Sequence, residues 1–161
     1  MKIGKMVFDG FYSSYQLGMI CINSFPKHAN YFDNLSEMVF DIHCDIIPQY
    51  NHIFSDSENF LRIPETIRIR PNKNILFGGA INRVKLMIDA NYKTAVPQYY
   101  KGKIQLIIPI CLVSENVPDL ALVVSKNESG NSYLGYTCLT LDMAYNNARL
   151  ITISDSDWLK S

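Results

Sequence analysis

The alternation of apolar and polar positions is clearest between residues 74 and 91. Apolar residues recur there every three or four positions, while charged residues occupy positions between them. This spacing predicts an amphipathic helix, and the weak helix formers Gly78 and Gly79 allow it to begin anywhere up to Ala80. The apolar positions that carry the pattern are Leu76, Ala80, Val84, Met87 and Ile88.

Three runs rich in aliphatic and β-branched residues follow this helix, at residues 104–113, 120–125 and 133–139. The segment YKTAVPQYYKGK before them bears turn residues, and the connections SENVPD and KNESGN carry Pro, Gly, Asn and Asp. Strands joined by connections this short most simply pair as an antiparallel meander.

The first part of the chain predicts fewer and shorter elements. A strand is expected around residues 17–22, where aromatic and β-branched residues are frequent. A short helix is expected further on, with Asn34 or Ser36 as its cap. Residues 42–64 contain several turn residues, which indicates a short strand followed by an irregular segment that ends at Pro64.

A last helix is expected over residues 141–151. Thr140 is its predicted N-cap, and Asp142 in the first turn suits the helix dipole. Together these elements predict an α+β fold: an antiparallel sheet, a meander in its C-terminal half, with two or three helices packed on one face. The length of 161 residues fits a single domain.

The amino-acid composition is typical of a globular protein but does not indicate a binding partner. Apolar residues make up 48% of the chain, charged residues 19%, and the formal net charge is zero. The longest apolar run, residues 104–113, is half of the roughly 20 residues needed to cross a bilayer, so no membrane partner is predicted. The N-terminus reaches Asp9 before any apolar stretch, which argues against a secretory signal.

The cysteines indicate a reducing compartment. None belongs to a C-x-x-C pair, and thiols in apolar strands usually act as small hydrophobic side chains. We therefore expect reduced cysteines and a cytoplasmic protein. The four are Cys21, Cys44, Cys111 and Cys138.

Charge is segregated along this neutral chain. Residues 30–61 contain six acidic residues and no Lys or Arg, whereas residues 62–103 contain nine basic residues and only two acidic ones, Glu65 and Asp89. Clustered cations attract phosphates, and tyrosines in the basic segment offer rings on which bases stack. Alternatively, the acidic and basic segments face each other, within the chain or across an oligomer interface.

Recognised catalytic and cofactor motifs are absent. The sequence contains no nucleotide-binding glycine loop, no nucleophile elbow and no zinc-protease helix motif. His43, Cys44 and Asp45 are adjacent, so in a strand their side chains alternate between faces and chelate a metal poorly. No cofactor and no metal site are therefore predicted.

The last predicted helix has a polar face beside its apolar one. Its polar residues recur at i, i+3, i+4 and i+7, a spacing that places them together. They contact either a ligand or neighbouring segments that order the fold. These residues are Asp142, Tyr145, Asn146 and Arg149.

Several longer runs resemble a known domain family. The runs are NYKTAVPQYYKGKIQLIIPICL, PDLALVV, LTLDMAYNNARL and DSDWL, with ANYFDN and YNHIF upstream. They are similar to the bacterial and phage domain-of-unknown-function family 3825, over residues 29–161, while residues 1–28 are not matched. The resemblance implies company with OST-HTH (LOTUS) modules, which are predicted to bind RNA, but implies no activity. The chain is shorter than members with a longer amino-terminal portion, so functions of that portion are not implied.

The polar residues of the family motifs are candidates for ligand contact or for holding the fold. In this chain they are Asn91, Tyr92, Gln98, Tyr99, Gln105, Asp142, Tyr145, Asn146 and Arg149.

The leading hypothesis is a non-catalytic binding domain for RNA or a small nucleotide. One form of it is a protein that captures a nucleotide signal in phage–host conflict. Phosphates would be met by Arg68, Arg70, Lys93, Lys101 and Lys103; bases would stack on Tyr99 and Tyr100; and Gln98, Asn146 and Arg149 would supply hydrogen bonds, with Gln105, Asp142 and Tyr145 nearby.

Two alternatives belong to other classes. The first is a nucleotide-processing enzyme with Asp142 as acid or base and Arg149 as a phosphate clamp. The second is an interaction subunit that forms a homo-oligomer through its complementary acidic and basic segments.

Overall fold

A computed structural model describes residues 12–21, 34–148, 151 and 157–159 of the chain. The six α-helices in this part are α1 (Ser14–Met19), α2 (Tyr50–Ser55), α3 (Ser57–Arg62), α4 (Glu65–Arg68), α5 (Lys73–Ala90) and α6 (Leu141–Ala148). The five strands are β1 (Asp45–Pro48), β2 (Val96–Tyr100), β3 (Lys103–Ile110), β4 (Leu120–Lys126) and β5 (Ser132–Leu139). Short 3₁₀ helices cover Leu35–Met38, Tyr92–Thr94 and Asp157–Leu159.

The five strands form one mixed sheet in the order β1-β5-β4-β3-β2. Strands β2 to β5 are a continuous antiparallel meander, which confirms the predicted pairing of the three C-terminal strands and extends it by β2. The prediction of a wholly antiparallel sheet was wrong, because β1 lies parallel to β5. A parallel neighbour requires a long crossover, and here the crossover is most of the chain, so local patterning gave no sign of it.

Helices cover both faces of the sheet, so the prediction of two or three helices on one face was also wrong. On one face, α5 packs its buried side chains on alternate residues of β3 and β4, and α2 and α4 extend the same core. On the other face, Ala144 and Ala148 of α6 pack with Ile107 and Val123. The core residues of α5 are Phe77, Ala80, Ile81, Val84 and Ile88, which follow the predicted helical spacing.

Side chains of α3 continue the edge of β5 where β1 stops. The β1 pairing ends at Gly135, whose carbonyl accepts from the Gln49 amide at 2.9 Å. Beyond it, the buried Asn59 side chain donates to the Tyr136 carbonyl at 3.1 Å and accepts from the Cys138 amide at 2.8 Å. Arg62 then donates to the Cys138 carbonyl at 2.7 Å. Because a buried peptide group needs a partner, α3 takes the place of a sixth strand.

Some local predictions fail and others hold. The strand expected around residues 17–22 is the helix α1, started by a capping box in which Ser13 and Gln16 bond each other's backbone. Within residues 42–64 the predicted short strand is present as β1, but the segment expected to be irregular contains α2 and α3. The segment YKTAVPQYYKGK has the predicted turn, at Lys101 and Gly102, and also contains the unpredicted strand β2. By contrast, the helix from residue 74 is present as α5, and Thr140 caps α6 through its hydroxyl, which accepts from the Met143 amide at 3.3 Å.

Across the described residues, no helix combines the length and the apolar character needed to span a bilayer.

Candidate functional site

Two hairpin turns meet at one end of the sheet, which we call the hairpin end. In a meander, the β2–β3 turn and the β4–β5 loop lie at the same end, and a cleft of about 490 Å³ opens between them and the 3₁₀ helix Leu35–Met38. This hairpin-end cleft falls within the volume range of small-molecule sites. Its floor is apolar, with Ile104, Leu106 and Val124. The strand pairing directs the side chains of three lining residues, Lys103, Gln105 and Ser125, to the other face of the sheet. The polar residues that line the cleft are Asn34, Glu37, Tyr99, Lys103, Gln105, Ser125, Lys126, Asn127, Glu128 and Tyr133.

The β2–β3 hairpin places Tyr99 on the cleft face and Lys101 at the tip of the turn. Tyr99 pairs with Ile104 across the two strands, so both side chains lie on the cleft face of the sheet. The turn itself has two residues, Lys101 at φ 48° and Gly102 at φ 84°. Two positive φ angles define a type I′ turn, which favours Asn or Gly at both positions. Lys101 is thus held in a left-handed conformation, and its Nζ lies 5.2 Å from the Tyr100 ring centre.

Asp41 fixes the far wall of the cleft. Its carboxylate accepts from Lys126 Nζ at 3.1 Å and from the Cys44 thiol at 3.4 Å, and its amide donates to Tyr133 Oη at 2.9 Å. The hydrogen bond from Lys126 lowers the pKa of Asp41, and the same bond raises the pKa of Lys126. Phe40 stacks on Tyr133 with ring centres 4.4 Å apart. The Tyr133 ring is therefore held by this wall, whereas Tyr99 is the ring on the hairpin side.

A ladder of amides crosses the sheet on the opposite face, next to α6. Gln98 Nε2 donates to Gln105 Oε1, and Gln105 Nε2 donates to Ser125 Oγ, each at 2.9 Å. Gln98 is only 3% exposed, and within the described residues its Oε1 has no hydrogen-bond partner. The two glutamines singled out from the sequence thus bond each other and join β2, β3 and β4.

The remaining polar side chains of the cleft differ in the hydrogen bonds that they make within the protein. Asn34 Nδ2 donates to Glu37 Oε1 at 2.8 Å, so these two side chains form one unit. Asn127 folds the β4–β5 loop, since its Oδ1 accepts from the Asn131 amide at 3.1 Å. Glu128 is exposed at the tip of this loop. The cleft therefore offers carboxylate acceptors on one side and the hairpin lysines on the other.

The structure gathers some of the predicted site residues and separates others. The group at the hairpin end consists of Tyr99, Tyr100, Lys101 and Lys103. Tyr99 lies on the cleft face, whereas Tyr100 and Lys103 lie on the same face of the strands as Gln98 and Gln105. Lys93 lies in the 3₁₀ helix Tyr92–Thr94 that precedes β2. Asp142, Tyr145 and Asn146 lie in α6, and Arg149 lies outside the described residues.

Arg68 and Arg70 lie apart from this group. The Arg68 guanidinium lies 5.4 Å from the Phe60 ring centre, and Lys73 Nζ lies 5.7 Å from the same ring. Phe60 belongs to α3, which packs on β5, and β5 is three strands from β2, or about 14 Å across the sheet. Arg70 Nε donates to the Thr66 carbonyl at 3.1 Å. The two arginines are thus not part of the hairpin-end cleft.

Some acidic residues pair with the basic segment inside the chain. Lys85 Nζ lies 2.8 Å from Asp45 Oδ1, and the hydrogen bond from Lys85 lowers the pKa of Asp45. Arg62 likewise pairs with Glu58 at 2.9 Å. Such exposed pairs contribute little stability, but they neutralise part of each segment. The acidic and basic residues, although separated along the sequence, therefore partly neutralise each other in the folded structure.

The loop of β4 and β5 contributes site residues that sequence reasoning missed. Lys126, Asn127, Glu128 and Tyr133 were read as a connection and the start of a strand. The signal that finds them is topological: alternate turns of a meander share one end of the sheet. Using it requires β2 to be recognised as a strand, because β2 places its own turn beside that loop.

Other chemistry is not assembled in the part of the chain that the structure describes. There, no three His, Cys, Asp or Glu side chains come together as a metal-binding group. Cys44 and Cys138 are buried, and burial raises the pKa of the Cys138 thiol to about 12. A thiol in such surroundings stays protonated at neutral pH and is a poor nucleophile.

Comparison with known proteins identifies the family. A family model for a domain of unknown function, DUF3825, matches residues 2–158, including the stretch upstream of residue 29 that the motifs did not reach. No curated protein and no solved structure matches the chain. The match extends over nearly the whole length, so the chain belongs to the DUF3825 family of domains of unknown function.

Proposed function

We propose that this protein is a non-catalytic binding domain for RNA or a small nucleotide, and that the ligand binds at the hairpin end. One observation carries the proposal: a cleft of nucleotide size with Tyr99 beside the lysine-bearing β2–β3 turn. A base stacks on Tyr99, and its phosphate lies towards Lys101 and Lys103. Stacking and cation contacts of this kind are the common elements of single-strand recognition.

The conformation of Lys101 supports a functional use of its side chain. A non-glycine residue in the left-handed region costs about 1 kcal/mol, and Asn or Gly would relieve it. Residues kept in such conformations cluster at functional sites. At the tip of the hairpin, the long Lys101 side chain lies beside the Tyr100 ring, and both residues are exposed.

The acceptor groups of the cleft set its preference among bases. Glu37 and Glu128 repel phosphate, so the phosphate lies on the lysine side and the base on the carboxylate side. Carboxylates accept hydrogen bonds and do not donate them, so a base with an exocyclic amino group suits this wall. We expect adenine or cytosine rings to bind better than uracil.

We expect the protein to act in the cytoplasm, where RNA and nucleotide signals are found. The sequence resemblance implies neighbouring RNA-binding modules, which fits a role in binding RNA or a nucleotide. A small nucleotide-binding domain also suits capture of a nucleotide signal in phage–host conflict.

The test is the salt dependence of binding to a labelled oligoadenylate, followed by fluorescence anisotropy. Each phosphate contact contributes about 0.7 to the slope of log K against log salt for a single strand, so Lys101→Gln with Lys103→Gln lowers the slope by about 1.4. The matched control is Arg83→Gln with Lys85→Gln, which removes the same charge from α5. Equal slopes for the two double variants, or no binding by the wild type at low salt, would sink the proposal.

Stacking is tested separately with Tyr99→Ala and Tyr99→Phe. Loss of a stacked base costs about 1–3 kcal/mol, which is roughly a 5- to 150-fold weaker affinity for the alanine variant. The phenylalanine variant keeps the ring and should bind within a few-fold of the wild type. Circular dichroism on both variants checks that the half-buried position still folds. Equal affinities of the two variants would remove Tyr99 from the site.

A further inference from the structure

The outer face of α5 carries an apolar stripe that is exposed and that no described residue covers. Ile75 is 76% exposed and Leu86 is 72% exposed, although both are large aliphatic side chains. They are eleven residues apart, or three turns, so they lie on the same side of the helix. Gly79 and Asn82 are exposed between them, at i+4 and i+7 from Ile75. Single exposed aliphatics are ordinary, but two on one helical stripe indicate a docking surface.

The stripe is self-complementary in the antiparallel sense. When α5 is turned about an axis through its midpoint between Gly79 and Asn82, Ile75 falls opposite Leu86 and Gly79 falls opposite Asn82. The same rotation sets Asn72, at the N-cap, opposite Asp89 in the last turn. A two-fold interface requires this kind of pairing, in which each residue and its counterpart exchange places.

No packing contact in the described part of the chain explains the glycine at position 79. A Cβ added there would meet nothing within 4 Å, and its backbone is helical. Glycine inside a helix destabilises it relative to alanine. Close approach of a second helix backbone does account for a residue without a side chain at the centre of the stripe.

The ends of the stripe are complementary in charge. The N-terminus of α5 has no side-chain cap and no acidic residue in its first turn, so its partial positive charge is exposed. Asp89 is exposed and forms no ion pair within the described part of the chain. In the antiparallel arrangement, each Asp89 carboxylate reaches the N-terminus of the other α5.

We propose that two copies of this protein dimerise through antiparallel pairing of α5, with Ile75 of each copy against Leu86 of the other. The pairing spans about 27 Å of helix from Asn72 to Ala90, which places the interface at the small end of specific contacts. The dimer is therefore weak and forms with rising protein concentration. No residue of the stripe lines the hairpin-end cleft, so dimerisation and ligand binding can fail independently.

Sedimentation velocity over a range of concentrations tests the dimer, with Ile75→Glu and Leu86→Lys as variants. Each change places a charge against an aliphatic side chain and should yield a monomer at concentrations where the wild type dimerises. The control is Leu61→Lys on α3, also at an exposed leucine (70% exposed), which should dimerise like the wild type. Circular dichroism should show all three variants folded, since each site is exposed.

Mixing the two monomeric variants tests the register. In the mixed dimer, one contact joins the introduced glutamate to the introduced lysine, and the other restores Ile75 against Leu86. The mixture should sediment as a dimer, and so should a chain that carries both changes. A wild type that stays monomeric, variants that dimerise like the wild type, or a mixture that remains monomeric would each overturn the proposal.

Discussion

Replacing Asn59 with leucine removes the side chain that stands in for a strand beside β5. Asn59 is 3% exposed, and its amide bonds the Tyr136 carbonyl and the Cys138 amide at 3.1 and 2.8 Å. Leucine has a similar volume but can neither donate nor accept. Both peptide groups would then lie in the interior without partners.

The magnitude follows from those two groups. An unsatisfied buried peptide group costs about 1–3 kcal/mol, and burial of the added apolar surface returns about 1 kcal/mol. We expect Asn59→Leu to lower the free energy of unfolding by about 1–5 kcal/mol. For a domain of this length, that corresponds to a fall in Tm of roughly 2–20 °C.

Urea unfolding followed by far-UV circular dichroism measures this loss. The control is Asn51→Leu, which makes the same change at an exposed position of α2 and should stay within about 0.5 kcal/mol of the wild type. If Asn59→Leu also stays within about 0.5 kcal/mol, the reasoning that α3 completes the edge of β5 is refuted.

Three further expectations concern the turn, the sheet and the cleft wall. Lys101→Asn should raise the free energy of unfolding by about 0.5–1 kcal/mol, because asparagine tolerates the left-handed conformation, while weakening oligonucleotide binding in the anisotropy assay. Gly135→Ala should lower stability by about 1–3 kcal/mol in urea unfolding, because its Cβ would lie 2.8 Å from Leu122 Cδ2. The pKa of Asp41 is lowered by the lysine bonded to it, so its stabilising contribution is present at neutral pH and is lost as the pH falls below about 4. Asp41→Asn should therefore flatten the acid limb of stability against pH, and an unchanged limb would contradict the assignment.

The apolar pattern of the sequence predicted the helix and the strands that bury mainly apolar side chains. The helix α5 buries residues at helical spacing, whereas β3 and β4 contain continuous apolar runs that are buried on both faces, and β5 is mostly buried. All four are therefore visible in the sequence. The strand β2 was missed because Gln98 is a polar residue at a buried position, which breaks the alternation. The helix α3 was missed for the same reason, since its buried residue is Asn59.

The site was predicted only where neighbours in sequence are neighbours in space. Tyr99, Lys101 and Lys103 lie in one hairpin with a two-residue turn, so their shared position at the hairpin end follows from local structure, although Tyr99 and Lys103 lie on opposite faces of the strands. Lys126 and Tyr133 line the same cleft because β4 and β5 follow β3 in the sheet. Arg68 lies outside the cleft because it packs on Phe60 of α3, beside β5 and away from β2. Such placements depend on topology, which one chain's charge pattern does not encode.

The parallel pairing of β1 with β5 also governs the order in which the protein assembles. The β2-to-β5 meander closes through short loops and can form as soon as that half of the chain is available. Asp45 pairs with Ser132, from opposite halves of the chain, so β1 gains its partner only after β5 exists. During synthesis, β1 in the acidic N-terminal segment therefore has no strand partner until the ribosome has synthesised β5. Folding should show a late, slow step in which β1 and α3 dock together onto a preformed sheet.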